Sequence, residues 1–168
     1  VDGLLFIGSS IHDTYLLEME KAGYAFLLVN HHFPGAQLNS VQVDYVAAAR
    51  LAAEHLLRLG HRRIGLILGT NTHPGHDFHR AFVAICRDGG IREADLPWAD
   101  GSFTESAGQL AAQWLLERRS DLTAIMCGND KMALGALRVL LKRGLRVPAD
   151  MSVMGVDDLP TAQLMLPG

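Results

Sequence analysis

The sequence predicts an α/β protein in which helices cover both faces of parallel sheets. Short apolar segments alternate with longer amphipathic segments along the chain, and this alternation is typical of a parallel sheet between two helical layers. One short apolar segment ends near Gly155 and is followed by Asp157 and Asp158. Because ligands of open α/β sheets bind at the carboxyl ends of strands, these carboxylates are predicted to lie at a binding site.

The predicted strands are short, apolar and bounded by turn residues. They are residues 3–8, 25–29, 64–68, 98–100, 124–127 and 152–156, and residues 98–100 are the weakest of them. The predicted helices carry apolar residues at helical spacing. They are residues 13–22, 45–59, 78–88, 105–118 and 131–143.

The ends of the predicted helices carry signals of their own. Asp13 and Asp130 stand at helix starts, where a carboxylate can accept hydrogen bonds from the first amide groups. Glycines follow the last periodic residues, as C-cap glycines do. These glycines are Gly23, Gly60, Gly89 and Gly144.

Composition limits the function classes. The chain has 168 residues, enough for one sizeable domain or for one and a fraction, and it is 49% hydrophobic and 20% charged, as globular proteins are. Its net charge of −3 provides no positive field for DNA phosphates, so these residues are not expected to bind nucleic acid. Cys86 and Cys127 form no CxxC pair, and neither a signal peptide nor a membrane span is visible, which favours a cytoplasmic protein.

Three motifs carry a family resemblance. They are GHRRIG at residues 60–65, TAIMCGNDKMALG at residues 123–135 and LRVPADMSVMGVDD at residues 145–158. In order and spacing they resemble the effector-binding region of the LacI/GalR family of bacterial transcriptional regulators, and the resemblance runs over essentially the whole chain. It implies a periplasmic-binding-protein-like type I fold, with two doubly wound parallel-sheet lobes and an effector in the cleft between them.

The resemblance also implies a domain division. Residues 1–43 would belong to the N-terminal lobe, residues 44–161 to the C-terminal lobe, and residues 162–168 to the start of a crossover back to the first lobe. Only two predicted strands fall in the first lobe, too few to bury both faces of a sheet. We therefore expect that lobe to be incomplete and the chain to be part of a longer regulator with a helix-turn-helix headpiece.

Asp157 and Asn129 are the main candidates for effector binding. An ionised carboxylate at Asp157 can accept hydrogen bonds from vicinal hydroxyls or ring N–H groups, although a carboxylate here could instead cap the next turn, which suits Asp158 better. The amide of Asn129 both donates and accepts, and the resemblance implies an effector contact at this position. The alternative is a structural turn residue, with Asp130 capping the following helix.

Two aromatic positions and one arginine extend the candidate site. Phe103 lies between a predicted strand and a helix, where its ring could stack on a sugar or a base, or form a hydrophobic staple with the helix. The family usually has an effector-clamping arginine at the position of Phe78, and the nearby Arg80 matches a more exposed neighbour. Either Arg80 reaches the ligand, or the pocket takes a less polar or differently shaped effector.

Histidines crowd two predicted loops. His31 and His32 follow the second strand, beside Asn30, which stands where the family often has an aspartate that contacts the effector. The run HPGHDFH at residues 73–79 follows the third strand, and Pro74 and Gly75 are expected to prevent a helix there. These histidines could bind a divalent metal, line a polar cleft or remain solvated; we expect no metal.

The partners follow from the resemblance. We expect a small-molecule effector, a sugar or related metabolite, and operator DNA bound through a headpiece absent from this chain. The apolar residues of the helix at 131–143, with the resemblance, predict a homodimer. No catalytic motif occurs, so neither an enzyme nor a cofactor is predicted. The alternative is a periplasmic sugar-binding protein of a transporter, which would need an export signal.

Overall fold

The computed structural model describes residues 2–7, 12–31, 38–69 and 73–162. The chain forms two compact units, Val1–Asp44 and Tyr45–Gly168. Some predictions fall outside the described residues: the end of the first strand at Gly8, the ring of His32, the side chain of His73 and the crossover at residues 163–168. No helix in the described ranges has the length and hydropathy that a membrane crossing requires.

The first unit is a small parallel sheet with one helix. In chain order its elements are β1 (Leu4–Ile7), α1 (Asp13–Lys21), β2 (Phe26–Val29) and β3 (Ser40–Val41). The strand order is β1-β2-β3, and both strand pairs are parallel. Leu16 and Met19 of α1 and Leu28 of β2 are buried. The two-residue strand β3 was not predicted, since its sequence has neither the length nor the apolar content of the others.

The second unit contains the larger sheet. In chain order its elements are α2 (Tyr45–Arg58), β4 (Ile64–Leu68), α3 (His73–Asp88), a 3-10 turn (Glu93–Asp95), β5 (Trp98–Asp100), α4 (Glu105–Arg118), β6 (Ala124–Cys127), α5 (Asp130–Lys142) and β7 (Ser152–Met154). The sheet has four strands in the order β5-β4-β6-β7. All three strand pairs are parallel, which confirms the predicted fold class.

Helices cover both faces of this sheet. Ile64, Leu66 and Leu68 of β4 pack on the face that α2 and α3 cover. Ile67 of the same strand packs on the opposite face with α4 and α5. Successive strand residues point to opposite faces, so a strand covered on both sides must be apolar throughout, as β4 and β6 are.

Some predictions about helix ends are wrong. Helix α3 begins at His73, although Pro74 and Gly75 were expected to break it. A proline in the first helical turn costs no hydrogen bond, because the amide groups of that turn have no partner inside the helix. Helix α1 begins at Asp13 as predicted, but its N-cap is His12 rather than Asp13. The C-cap glycine with positive φ after α3 is Gly90 rather than Gly89.

Helices α4 and α5 meet at two glycines. A Cβ atom at Gly135 would lie 2.3 Å from the carbonyl oxygen of Glu105 and 2.7 Å from the amide nitrogen of Gln109. A Cβ atom at Gly108 would lie 2.7 Å from the backbone of Met132. The two backbones are therefore as close as the absence of side chains permits, and we call this contact the glycine seam.

Candidate functional site

Parallel pairing brings the carboxyl ends of β4 to β7 to one edge of the second sheet. Gly69 follows β4, Phe103 lies three residues after β5, Asn129 lies two residues after β6 and Asp157 lies three residues after β7. We call this side of the second unit the carboxyl edge. The structure thus places the predicted residues Phe103, Asn129 and Asp157 at the same edge, where open α/β sheets bind ligands.

Phe103 lies directly over Gly69. A Cβ atom at Gly69 would stand 2.0 Å from Cε2 of the Phe103 ring, so only glycine permits this position of the ring. The ring is 37% exposed. The alternative of a hydrophobic staple is wrong, because Thr104 is the N-cap of α4 and the fourth helical residue, where a staple partner would stand, is Gly108.

Asn129 caps α5, the role that the sequence assigned to Asp130. Its Oδ1 accepts a hydrogen bond from the amide nitrogen of Met132 at 2.9 Å, and its Nδ2 donates to the carbonyl oxygen of Phe103 at 3.3 Å. The side chain therefore connects the ends of β5 and β6. Asn129 is 9% exposed, and a primary amide has two donor hydrogens and two acceptor lone pairs, so one donor and one lone pair remain beyond these two contacts.

Asp130 is a buried carboxylate that sequence reasoning did not select. Its Oδ2 accepts a hydrogen bond from the amide nitrogen of Leu159 at 2.7 Å, and its own amide donates to the carbonyl oxygen of Val156 at 2.8 Å. Its Oδ1 occupies the space where a side chain at Gly155 would begin, 2.3 Å from a Cβ atom built there. The signal in the sequence was Gly155, two residues before Asp157, because a glycine there leaves room for a neighbouring side chain.

Asp157 and Asp158 lie in a turn with unusual backbone geometry. Their backbone φ angles are 114° and 58°, in the region that residues other than glycine rarely adopt. Burial raises the pKa of Asp157, and the negative charge of Asp130 raises it further, while Lys131 lowers it. The side chain is nevertheless exposed enough to meet a ligand. Its carboxylate is thus an exposed hydrogen-bond acceptor at the carboxyl edge.

Positive φ angles mark the ends of strands in both units. Among the described residues, all non-glycine residues with this geometry follow a strand. They are Asn30 after β2, Ser102 and Phe103 after β5, and Asp157 and Asp158 after β7. Backbone strain of this kind persists where the surrounding structure fixes it, and it is concentrated at functional sites. In the second unit, the backbone geometry therefore points to the carboxyl edge, as the side chains do.

Phe78 and Arg80 have other surroundings. Phe78 is 3% exposed and stacks on Phe82 in the core, with ring centroids 6.1 Å apart. Arg80 lies on the surface of α3, where its Nη2 donates to Asp77 at 2.9 Å. Phe78 was predicted as an effector contact, but the structure places its side chain in the core. The guanidinium of Arg80 pairs with a carboxylate of its own helix.

The predicted histidine clusters are only partly described. His31 is buried in the first unit, with its Nε2 3.6 Å from Asp13 and without a hydrogen-bond partner among the described residues. His79 packs its ring 5.6 Å from that of Trp98, and burial lowers its pKa. Within the described ranges, no three histidine, cysteine or acidic side chains are grouped as a metal ion would require.

A groove of about 310 Å³ runs along β7, between α2 and α5. Its lining is mainly apolar and includes Leu56, Leu59, Leu134, Leu137 and Met154. Neither Phe103 nor Asn129 borders it. A sugar or similar metabolite needs convergent polar groups, so the carboxyl edge is the better candidate for the binding site.

Comparisons with known proteins agree with this architecture. The model of the periplasmic binding protein-like domain family matches residues 53–168. The HTH-type transcriptional repressor CytR of Escherichia coli strain K12 is 34% identical over 168 residues, covering 99% of this chain and 49% of its own length. The chain spans about half the length of the curated relatives that it matches.

Solved structures show the same similarity. A transcriptional regulator of the LacI family from Burkholderia phymatum superposes with a TM-score of 0.90 at 29% identity, over 99% of this chain and 61% of its own. The regulator CelR, in its complex with cellobiose, gives a TM-score of 0.89 at 31% identity, over 99% of this chain and 52% of its own. The chain therefore belongs to the periplasmic binding protein-like domain family, and its resemblance to LacI-type regulators is confirmed.

Proposed function

We propose that this chain is the effector-sensing part of a LacI-type transcriptional regulator, in which a small uncharged metabolite binds at the carboxyl edge. The observation that carries the proposal is the convergence of Phe103, Asn129 and Asp157 on one sheet edge, in a domain whose relatives are regulators. Because those relatives are neither enzymes nor transport receptors, we infer sensing rather than catalysis or transport. A regulator of this type acts in the cytoplasm.

The charges at the edge favour an uncharged effector. Asp130, Asp157 and Asp158 are acidic, and Lys131 is the basic residue that acts on Asp157. Arg80, the guanidinium that sequence reasoning considered for the ligand, pairs with Asp77 instead. An acid or a phosphorylated sugar would meet net repulsion, whereas a neutral sugar offers hydroxyl donors to Asp157 and an apolar face to Phe103. The binding of cellobiose by the relative CelR supports this class of ligand.

Regulation would follow from linkage. An effector that binds one conformation of the domain better than another shifts the population toward it, by no more than its difference in affinity. We propose Asn30, with its positive φ at the end of β2, as a ligand contact of the first unit. Phe78, a residue of α3, then packs in the core and does not contact the ligand, and Arg80 remains on the surface.

We expect Asp157→Ala to weaken effector binding by about 1–3 kcal/mol without unfolding the protein, since a charged hydrogen-bond acceptor is lost. A thermal-shift screen of neutral sugars identifies the ligand, and calorimetry on wild type and variant measures its dissociation constant. The matched control is Asp158→Ala, which removes the neighbouring carboxylate. Unchanged affinity together with a lower melting temperature would assign Asp157 to a capping role. Tighter binding of the phosphorylated sugar than of the parent sugar would refute the uncharged effector.

DNA binding is expected to require a segment other than these residues. The chain is acidic overall, with a net charge of −3, whereas operator recognition needs several cationic phosphate contacts. In a mobility-shift assay, the complete regulator should bind its operator in an effector-dependent way, and these 168 residues alone should not. Specific binding by these residues alone would contradict the proposal.

The same assay tests a homodimer. Of the apolar residues expected to form its surface, Met132, Leu137 and Leu140 are buried in the core, while Leu134 is half-buried and Leu141 is 47% exposed. The free apolar surface of α5 is thus smaller than the sequence suggested. We propose that a dimer uses these two leucines, and a two-fold axis would match a palindromic operator. Retained affinity after one half-site is scrambled would argue against a dimer.

A further inference from the structure

Asp130 fastens the turn that carries Asp157 at both of its ends. Its amide donates to the carbonyl oxygen of Val156 at 2.8 Å, before the two exposed carboxylates, and its Oδ2 accepts from the amide of Leu159 at 2.7 Å, after them. Its Oδ1 lies against Gly155 in space that a larger residue would fill. Helix capping does not explain this arrangement, because Asn129 is the cap of α5.

The turn needs such a support. Asp157 and Asp158 both have positive φ angles, and strained backbone conformations of this kind persist only where the surrounding structure holds them. A buried carboxylate is itself costly, and a hydrogen bond from a backbone amide to a charged acceptor is about twice as strong as a neutral one. The Asp130 carboxylate, 8% exposed, is therefore suited to hold the strained turn in one conformation.

We propose that Asp130 is a positioning residue for ligand binding: it holds residues 155–159 in the conformation that presents Asp157 at the carboxyl edge. The inference rests on the proposed function, because Asp157 must contact the ligand for its position to matter. Asp130 itself contacts the turn and need not touch the ligand.

The ionisation of Asp157 provides a readout that a purely structural role would not affect. Burial raises the pKa of Asp157 most, the charge of Asp130 raises it further, and Lys131 lowers it; Asp158 is its neighbour in the chain. A ligand that requires the ionised carboxylate loses affinity as the pH falls through this raised pKa. Asp130→Asn removes one negative charge, so the pKa of Asp157 should fall and binding should persist to lower pH.

The test compares three variants with wild type: Asp130→Ala, Asp130→Asn and, as the control, Asp158→Ala. The probe is the neutral sugar that gives the largest thermal shift in wild type, with cellobiose as the first one tried. Amide hydrogen exchange of Leu159 is measured without ligand, and affinity is measured by calorimetry as a function of pH. We expect Asp130→Ala to accelerate exchange at Leu159 and to weaken binding about tenfold or more, as the loss of a charged hydrogen bond does.

The conservative variant separates the possible outcomes. Asp130→Asn keeps an oxygen acceptor for Leu159 but makes the weaker, neutral hydrogen bond, so its affinity at neutral pH should lie between those of wild type and Asp130→Ala. The acid limb of its pH profile, the loss of affinity at low pH, should move to lower pH. The proposal is wrong if the acid limb does not move, or if Asp130→Ala weakens binding no more than Asp158→Ala does. If Asp157→Ala binds the probe as wild type does, the proposed function fails instead, whatever the Leu159 exchange shows.

Discussion

Replacing Phe82 with alanine is expected to lower the free energy of unfolding by about 3–5 kcal/mol, the usual range for removing a buried aromatic side chain. Phe82 is 0% exposed and stacks on Phe78 between α3 and the sheet. Alanine would leave a cavity bordered by Phe78 and by buried residues of β4, which are fixed in the centre of the sheet and cannot collapse into it. Urea unfolding followed by circular dichroism measures the change.

Phe103→Ala is the matched control, because it makes the same chemical change where the ring is 37% exposed. Less apolar surface returns to water there, so its effect on unfolding should be much smaller than that of Phe82→Ala. Its effect on ligand affinity should be the larger of the two. Equal losses of stability in the two variants would mean that the core beneath α3 is not packed as described.

Gly135→Ala is expected to destabilise the protein by about 3 kcal/mol, at the upper end for overpacking a core. The new methyl group would meet the carbonyl oxygen of Glu105 at 2.3 Å and the amide nitrogen of Gln109 at 2.7 Å. Both atoms are backbone, so no side-chain rotation relieves the contact and α4 must move away from α5. The gain in helix propensity from glycine to alanine, about 1 kcal/mol, is too small to offset this.

The control for Gly135→Ala is the same substitution at Gly89, which lies outside the glycine seam. A Cβ atom there would approach Cδ1 of Leu57 at 2.9 Å, the end of a flexible side chain that can rotate. Alanine also restricts the unfolded chain, which stabilises by about 0.4–1 kcal/mol where the backbone tolerates it. Its net effect should be close to zero by the same urea measurement. A neutral Gly135→Ala would show that the helices are free to separate.

The sheet and the residues at its carboxyl edge were predictable because they depend on coarse features of the sequence. Buried parallel strands must be apolar on both faces, so β4 and β6 could be recognised without knowledge of their neighbours. Once the strands are parallel, the residues that follow them must share an edge. This placed Asn129 and Asp157 together, and the parallel pairing of β6 with β7 confirms that they follow neighbouring strands.

The roles of Asn129 and Asp130 could not be separated from the sequence. Both residue types are good helix caps, and a shift of one residue in the helix start exchanges their roles. The outcome depends on a residue distant in sequence. The amide of Leu159 donates a hydrogen bond to the carboxylate of Asp130, and Asn129 caps the helix instead. Local pattern carries no information about that amide.

The surroundings of Phe78 were predicted wrongly because the start of α3 was predicted wrongly. Pro74 and Gly75 predicted a loop, so Phe78 was expected at the beginning of the helix, beside a ligand. Because α3 begins at His73, Phe78 lies in its second turn, four residues before Phe82, and residues at this spacing share one helix face. That face is the core face, which explains why the two rings stack.

The glycine seam also has a consequence for how α4 and α5 can move. Helix α4 begins just after Phe103 and α5 just after Asn129, and Glu105 pairs with Arg138 across the two helices. The close backbone contact at the seam and this ion pair join the two helices, so we expect α4 and α5 to move as one body. The 14 residues of α4 span about 21 Å. A ligand bound beside Phe103 or Asn129, as we propose, is therefore expected to move the far ends of both helices together.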